Sequence, residues 1–121
     1  MDDQMQEIMT LAQALGRKIG AHAATRDFMA AAKAVAQNPE AQKILGAYTE
    51  HEDRIRELEA NGRPIEVADK HKLAELQGQV ASHDQLKAMS KAQADYVAMM
   101  QRMQTTLDAA IQEAHTPSGE G

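Results

Sequence analysis

Histidines are the residues of this chain best suited to metal chemistry, and there are five of them: His22, His51, His71, His83 and His115. Helical di-iron proteins hold their metals with Glu-x-x-His pairs, which put both ligands on one face of a helix. The sequence contains neither a Glu-x-x-His nor a His-x-x-x-His pair. Cysteine is absent, which excludes thiolate ligands and cysteine nucleophiles. We therefore predict no metal site and no cofactor.

No other residue pattern indicates catalysis. Ser82, Ser90 and Ser118 lack any neighbouring signature of an activated nucleophile. Gly16 and Gly20 form a Gly-x-x-x-Gly spacing that favours close helix contact and does not match a phosphate-binding loop. The sequence predicts a protein that is not an enzyme and has no small-molecule substrate.

Composition narrows the class of protein and its partners. The 121 residues carry a formal charge of −5, and acidic and basic residues alternate, so the chain lacks the clustered basic face that nucleic-acid binding requires. The first residues are acidic, and runs of apolar residues stop at five, far short of a membrane span. We expect a cytoplasmic protein that binds neither nucleic acid directly nor a membrane.

Helical signals follow one another along the chain, and no run of residues alternates with the period of a strand. Asp2 and Asp3 suit the start of a first helix, and Thr25 is expected to cap a second. Asn38, followed by Pro39 and Glu40, predicts the start of a long third helix that ends at Asn61-Gly62. These signals predict an all-α protein.

The second half of the chain continues the helical pattern. A shorter helix is expected from about Glu66 to Val80 and forms an antiparallel hairpin with the helix before it. Ser82 and Gln85 have the spacing of a capping box, which predicts the start of a last helix that ends near Thr116. We expect one domain over residues 1–115 and a flexible tail over 116–121.

Apolar residues at alternating spacings of four and three mark a packing seam on two of these helices. A helix from Asp84 to His115 would be roughly 48 Å long, whereas a compact chain of this length has a gyration radius of about 14 Å. We therefore expect the seam to bury itself against another chain. The predicted seam residues are Ile44, Tyr48, His51, Ile55, Leu58, Leu86, Met89, Gln93, Tyr96, Met100, Met103 and Leu107.

Three residues on or beside this seam have a more specific expected role. His51 is expected to be a partly buried histidine bonded to a carbonyl group or to a residue across the seam; the alternative is a pH-sensitive interface. Gln93 is expected to set register, as buried polar residues do in coiled coils. Met99 lies off the seam and is a candidate for an external protein contact.

The chain as a whole resembles the YlbF/YmcA family of small helical bacterial proteins, including its YheA-like members. The resemblance covers roughly residues 9–111. Its most specific stretch is Asn38-Pro39-Glu40-Ala41-Gln42. The other matching features, in chain order, are Leu15, the break before Asp27-Phe28, Ile44-Leu45, Tyr48, Asn61-Gly62-Arg63-Pro64, Leu73, Leu76-Gln77, Leu86, Ala92-Gln93 and Tyr96.

This resemblance implies an intertwined helical dimer or larger bundle, built from a long hairpin with N-terminal and C-terminal helices. Characterised relatives are cytoplasmic regulators of competence, sporulation and biofilm formation, and they promote messenger-RNA maturation that depends on ribonuclease Y. Some members of that complex hold iron–sulfur clusters through cysteines, which this chain lacks. Many relatives also begin the last helix with Asn-Pro, where this chain has Ser82-His83.

The leading hypothesis is a non-enzymatic regulatory adaptor that forms homo-oligomers. It would act by protein–protein contacts, with helical paralogues or an RNA-processing enzyme as partners. The alternative is a purely structural, self-assembling helical bundle or scaffold.

Overall fold

A computed structural model describes residues 2–116 and shows five α-helices, with no strand in that range. The helices are α1 (Asp2–Ala21), α2 (Ala23–Ala36), α3 (Pro39–Ala60), α4 (Val67–Ser82) and α5 (Asp84–His115). The all-α prediction is confirmed. Of the predicted tail, residues 117–121 lie outside the described residues.

The junction between α1 and α2 is a tight break whose capping residue differs from the prediction. His22 takes this role, because its Nδ1 accepts a hydrogen bond from the backbone N–H of Ala24 at 3.0 Å. Thr25 lies inside the first turn of α2, where its side chain is buried and its hydroxyl has no hydrogen-bond partner. The prediction of Thr25 as the cap was therefore wrong: the helix begins two residues earlier.

Asn38 caps α3 as predicted. Its side-chain oxygen accepts a hydrogen bond from the N–H of Ala41 at 3.1 Å, and Pro39 occupies the first helical position. Its side-chain amide donates to the Gln85 side chain at 2.6 Å. One residue thus satisfies a backbone group at a helix terminus and ties α3 to the start of α5.

The turn after α3 is a Schellman motif. The N–H of Arg63 donates to the Leu58 carbonyl at 2.8 Å, and the N–H of Gly62 donates to the Glu59 carbonyl at 3.1 Å. Gly62 has a φ of +66°, which a residue with a Cβ adopts only with strain. This turn lets α4 pack against α3, and the predicted hairpin is present.

The start of α5 departs from the predicted capping box. Ser82 is the last residue of α4, and its hydroxyl donates to the Gly78 carbonyl at 2.7 Å. His83 takes the capping position, with its Nδ1 accepting a longer hydrogen bond of 3.4 Å from the N–H of Leu86. Ser82 was the wrong cap because its hydroxyl bonds back into its own helix.

The helices divide into two compact units. The described part of unit 1 comprises residues 2–27 and 92–116, and unit 2 comprises residues 28–91. The core of unit 2 is formed by Val35, Ala41 and Leu86, which are almost completely buried. Partly buried residues pack against this core: Ile44, Leu45, Val80 and Met89.

Unit 1 has far less internal burial than unit 2. All described residues of α1 are exposed except Ile19, which is half-buried. Among the described residues of unit 1, only Thr25 and Ala92 are buried. Across residues 2–116, no helix is both long enough and apolar enough to cross a membrane.

Substitution of two glycines by alanine tests the Schellman turn. We expect Gly62→Ala to lower the free energy of unfolding by about 1 kcal/mol, because its φ is positive. Gly46→Ala is the matched control, since Gly46 lies within α3 and a Cβ at that position would meet open space. It should raise the stability by up to about 1 kcal/mol. Urea denaturation measures both, and equal effects would contradict this assignment of the turn.

Candidate functional site

A group of polar contacts holds the α3–α4 hairpin together. The buried His51 side chain lies within unit 2, where its Nε2 donates a hydrogen bond to the Asp69 carbonyl oxygen at 2.8 Å. The Asp69 carboxylate accepts hydrogen bonds from the Arg54 Nε and from the Glu66 N–H, both at 3.3 Å. This is the bonding to a carbonyl that the sequence predicted for His51, and it fixes the proton on Nε2.

The surroundings of Asp69 lower the pKa of its carboxyl group. Burial alone raises this pKa, but the hydrogen bonds from Arg54 and the Glu66 backbone, together with the positive charge of Arg54, outweigh it. Asp69 also completes the capping box at the start of α4 with Glu66. A single carboxylate therefore joins the cap of one helix to a side chain of the other.

A second polar group lies in unit 2, where α3 and α5 begin. The His83 Nε2 lies 3.4 Å from the Glu40 carboxylate, beside the hydrogen bond between Asn38 and Gln85. Each of these four residues lies within two positions of a helix start. The group joins two helix starts and is structural, because both carboxamide side chains are used in holding them together.

The predicted seam residues fall into two groups. Those in unit 2 turn largely toward their own chain: Leu86 is 1% exposed, while Ile44 and Met89 pack on the core it belongs to. Tyr48 is half-buried on α3, where a hydrogen bond with Glu52 is the main cause of its raised pKa. Ile55 and Leu58 are also half-buried. These residues therefore stabilise the chain itself, and an added intermolecular role stays a prediction.

The seam residues in unit 1 are more accessible than those in unit 2. Gln93 and Leu107 are exposed, and Tyr96, Met100 and Met103 are half-buried. A Gln93 that sets register between two chains stays a prediction.

Unit 1 carries an apolar surface made of side chains from α1 and α5. On α1, Leu11 is 64% exposed, and Met5 and Ile8 are each 55% exposed. The surface, which we call the unit 1 surface, consists of Met5, Ile8, Met9, Leu11, Leu15, Val97, Met99, Met103, Leu107 and Ile111. Of the α1 residues, Leu15 lies beside the α5 residues in an open groove.

An open groove runs through the unit 1 surface. Leu15 of α1 lines it together with Met99, Met103, Leu107 and Ala110 of α5. The polar residues at its edge are Arg102 and Thr106, and the Thr106 hydroxyl already donates to the Arg102 carbonyl. The lining of the groove is therefore mostly apolar.

Sequence reasoning missed part of this surface. The stripe of Met5, Ile8 and Leu15 has helical spacing and was visible in the sequence. Its exposure was not, because periodicity alone does not distinguish a face packed within the chain from one left open. Met99, the candidate external contact, lines the groove, and its contact with a partner stays a prediction.

Among the described residues, no group of three or more histidine or carboxylate side chains is arranged to hold a metal ion. The geometry that the structure does provide is a helical scaffold, tied by polar contacts in unit 2, and an open apolar surface in unit 1. These features define a small helical protein with an open apolar surface.

The chain belongs to the YlbF/YmcA family. Residues 8–112 match the family described as control of competence regulator ComK, YlbF/YmcA, which confirms the resemblance seen in the sequence and places the chain in a family of regulators. No curated protein matches the sequence.

A solved structure shows the same fold. The chain is similar to the crystal structure of Bacillus subtilis RicA in complex with RicF, with a TM-score of 0.75 and 13% sequence identity. The similarity covers 91% of this chain and 97% of the other. At this identity the similarity concerns the fold.

Replacement of Asp69 tests the polar contacts of the hairpin. Because the pKa of Asp69 is lowered in the folded state, its stabilisation is present above the pKa of the unfolded carboxyl and is lost as pH falls through the folded value. We expect Asp69→Asn to be less stable at neutral pH and to lose less stability on acidification than the wild type. Thermal unfolding measures both effects. The range from about pH 2 to about pH 7 spans the titration of carboxylates.

The matched control is Asp53→Asn, since Asp53 pairs with Arg56 on the exposed face of α3. Its stability should stay near that of the wild type across the same range. A similar loss in both variants would contradict the role assigned to Asp69.

Proposed function

We propose that the protein is a non-enzymatic regulatory adaptor of the bacterial cytoplasm, which acts by binding other proteins through the unit 1 surface. The observation that carries this proposal is the exposure of so many large apolar side chains on α1 and the second half of α5. A regulatory family and a helical relative that occurs in a complex both support it. The charge of −5 favours protein partners over direct binding to nucleic acid.

Self-association is the first contact we propose for this surface. Half-exposed side chains of this size each present on the order of 100 Å², so that the surface offers about 800 Å², the area per partner of a standard interface. That area matches the size of a specific interface, although packing and not area sets the affinity. The intertwined dimer or larger bundle expected from the sequence is one way to bury it.

The proposed regulatory partners are helical relatives of this chain or an RNA-processing enzyme of the ribonuclease Y type. RicA occurs in a complex with RicF, and a heteromeric contact of that kind would use the same exposed helix faces. The alternative is a self-assembling bundle with no regulatory partner. The apolar character of the groove favours either protein contact over a polar ligand.

Affinity capture of the tagged protein from its own host, followed by mass spectrometry, separates the two candidates. Light scattering on the same preparation gives its mass. Recovery of helical relatives or an RNA-processing enzyme supports the adaptor. Recovery of the protein alone as a stable oligomer supports the self-assembling bundle and contradicts the regulatory role.

A charged side chain on the unit 1 surface should prevent self-association while leaving the fold in place. Leu107 is 44% exposed, so Leu107→Glu buries no charge within the chain, but a partner covering it would have to bury one. We expect at least about a 10-fold weaker association, with the helical circular dichroism unchanged. Sedimentation at a series of concentrations measures it.

Thr105→Glu is the matched control, since Thr105 is an exposed residue of the same helix that lies outside the unit 1 surface. It should associate like the wild type. Weakening of both variants to the same extent would show that added charge on α5, and not the position, is responsible.

A further inference from the structure

Methionine is concentrated in unit 1. Of the eight methionines in the sequence, Met5 and Met9 lie on its α1, and Met99, Met100 and Met103 lie on its part of α5. Met5 and Met9 are about half exposed, while Met99 and Met103 line the open groove. Their thioether sulfurs are the oxidisable side chains of this surface, because the chain has no cysteine.

We infer that the unit 1 surface is a site of methionine oxidation by peroxide, and that sulfoxide formed there weakens the protein's self-association. This inference rests on the proposed function, since it requires the same surface to bind a second copy. The proposed oxidation takes place on the free chain, in which these methionine side chains are accessible to peroxide.

The chemical step is a two-electron oxidation of the thioether. The sulfur of methionine attacks one oxygen of hydrogen peroxide, the O–O bond breaks, and an S–O bond forms. The sulfur is oxidised to the sulfoxide, and the peroxide is reduced. The attacked oxygen gives up its proton to the departing hydroxide, which leaves as water. No metal or cofactor is needed.

The effect of oxidation on self-association follows from the residues that line the groove. Leu15, Leu107 and Ala110 line the groove beside the methionines and carry no side-chain hydrogen-bond donor. The two polar residues of the groove are Thr106, whose hydroxyl is already bonded to the Arg102 carbonyl, and Arg102, whose guanidinium is a donor. Arg102 can pair with one sulfoxide oxygen, so covering the oxidised surface with a second copy would bury the other sulfoxides among apolar side chains. The unoxidised thioether has no such cost.

The two remaining described methionines provide a contrast. Met89 packs against the core of unit 2, where it is shielded. Met29 is 62% exposed on α2, but it lies in unit 2 and outside the unit 1 surface. Oxidation of Met29 should therefore occur readily and leave self-association unchanged.

The test compares three purified proteins before and after treatment with hydrogen peroxide: the wild type, Met29→Leu, and a fourfold variant that combines Met5→Leu, Met9→Leu, Met99→Leu and Met103→Leu. Peptide mass spectrometry locates each added oxygen, and sedimentation measures the dissociation constant of the oligomer. Leucine matches methionine in volume and polarity, so the fourfold variant keeps an apolar surface.

We expect oxidation to weaken the association of the wild type and of Met29→Leu by at least about 10-fold and to leave the fourfold variant unaffected. Treatment of the oxidised wild type with the two stereospecific methionine sulfoxide reductases should restore its association. This reversal tests the inference even if the fourfold variant associates poorly before treatment.

Two outcomes overturn the inference. One is unchanged association of wild type whose surface methionines carry oxygen; the other is equal weakening of the fourfold variant and the wild type. By contrast, an untreated wild type that is monomeric at every concentration overturns the proposed self-association itself. The two failures are therefore distinguishable.

Discussion

The packing of unit 2 depends on the side chain of Asn38, which forms hydrogen bonds in two directions at once. Its oxygen completes the first turn of α3, and its amide binds Gln85 at the start of α5. Ala41, whose N–H is the partner in that first turn, is fully buried beside Leu86. Loss of this side chain would leave polar groups unpaired at the edge of the core.

The two units bury their apolar residues to different extents. In unit 2 a small set of aliphatic residues closes a core, and polar contacts around Asp69 fix the hairpin beside it. In unit 1 large aliphatic side chains of α1 stay open to solvent. The large apolar side chains that stay exposed in unit 1 are therefore residues that the core of unit 2 does not use.

Most of the fold was readable from local signals in the sequence. Asn38-Pro39, Asn61-Gly62 and the long period of α5 each predicted an element whose position the structure confirms. Ser82 and Thr25 were assigned as caps wrongly, because a nearby histidine accepts the hydrogen bond at each helix start. Serine and threonine are common caps, so the residue types alone favoured Ser82 and Thr25.

The candidate site was less predictable, because helical spacing does not reveal what a face packs against. Leu86 and Leu107 belong to the same stripe of α5, yet Leu86 is enclosed in the core and Leu107 is exposed. His51 was expected to bond to a carbonyl, and it does so within its own hairpin.

The small size of the unit 2 core has a consequence for how such a fold diverges after gene duplication. Only a few positions, such as Val35, Ala41 and Leu86, must keep a side chain of the right volume. Residues on the exposed faces of α1 are free of that demand and vary at little cost in folding. Copies of one ancestral gene can thus acquire different binding partners while the backbone stays the same, in keeping with a shared fold at 13% identity.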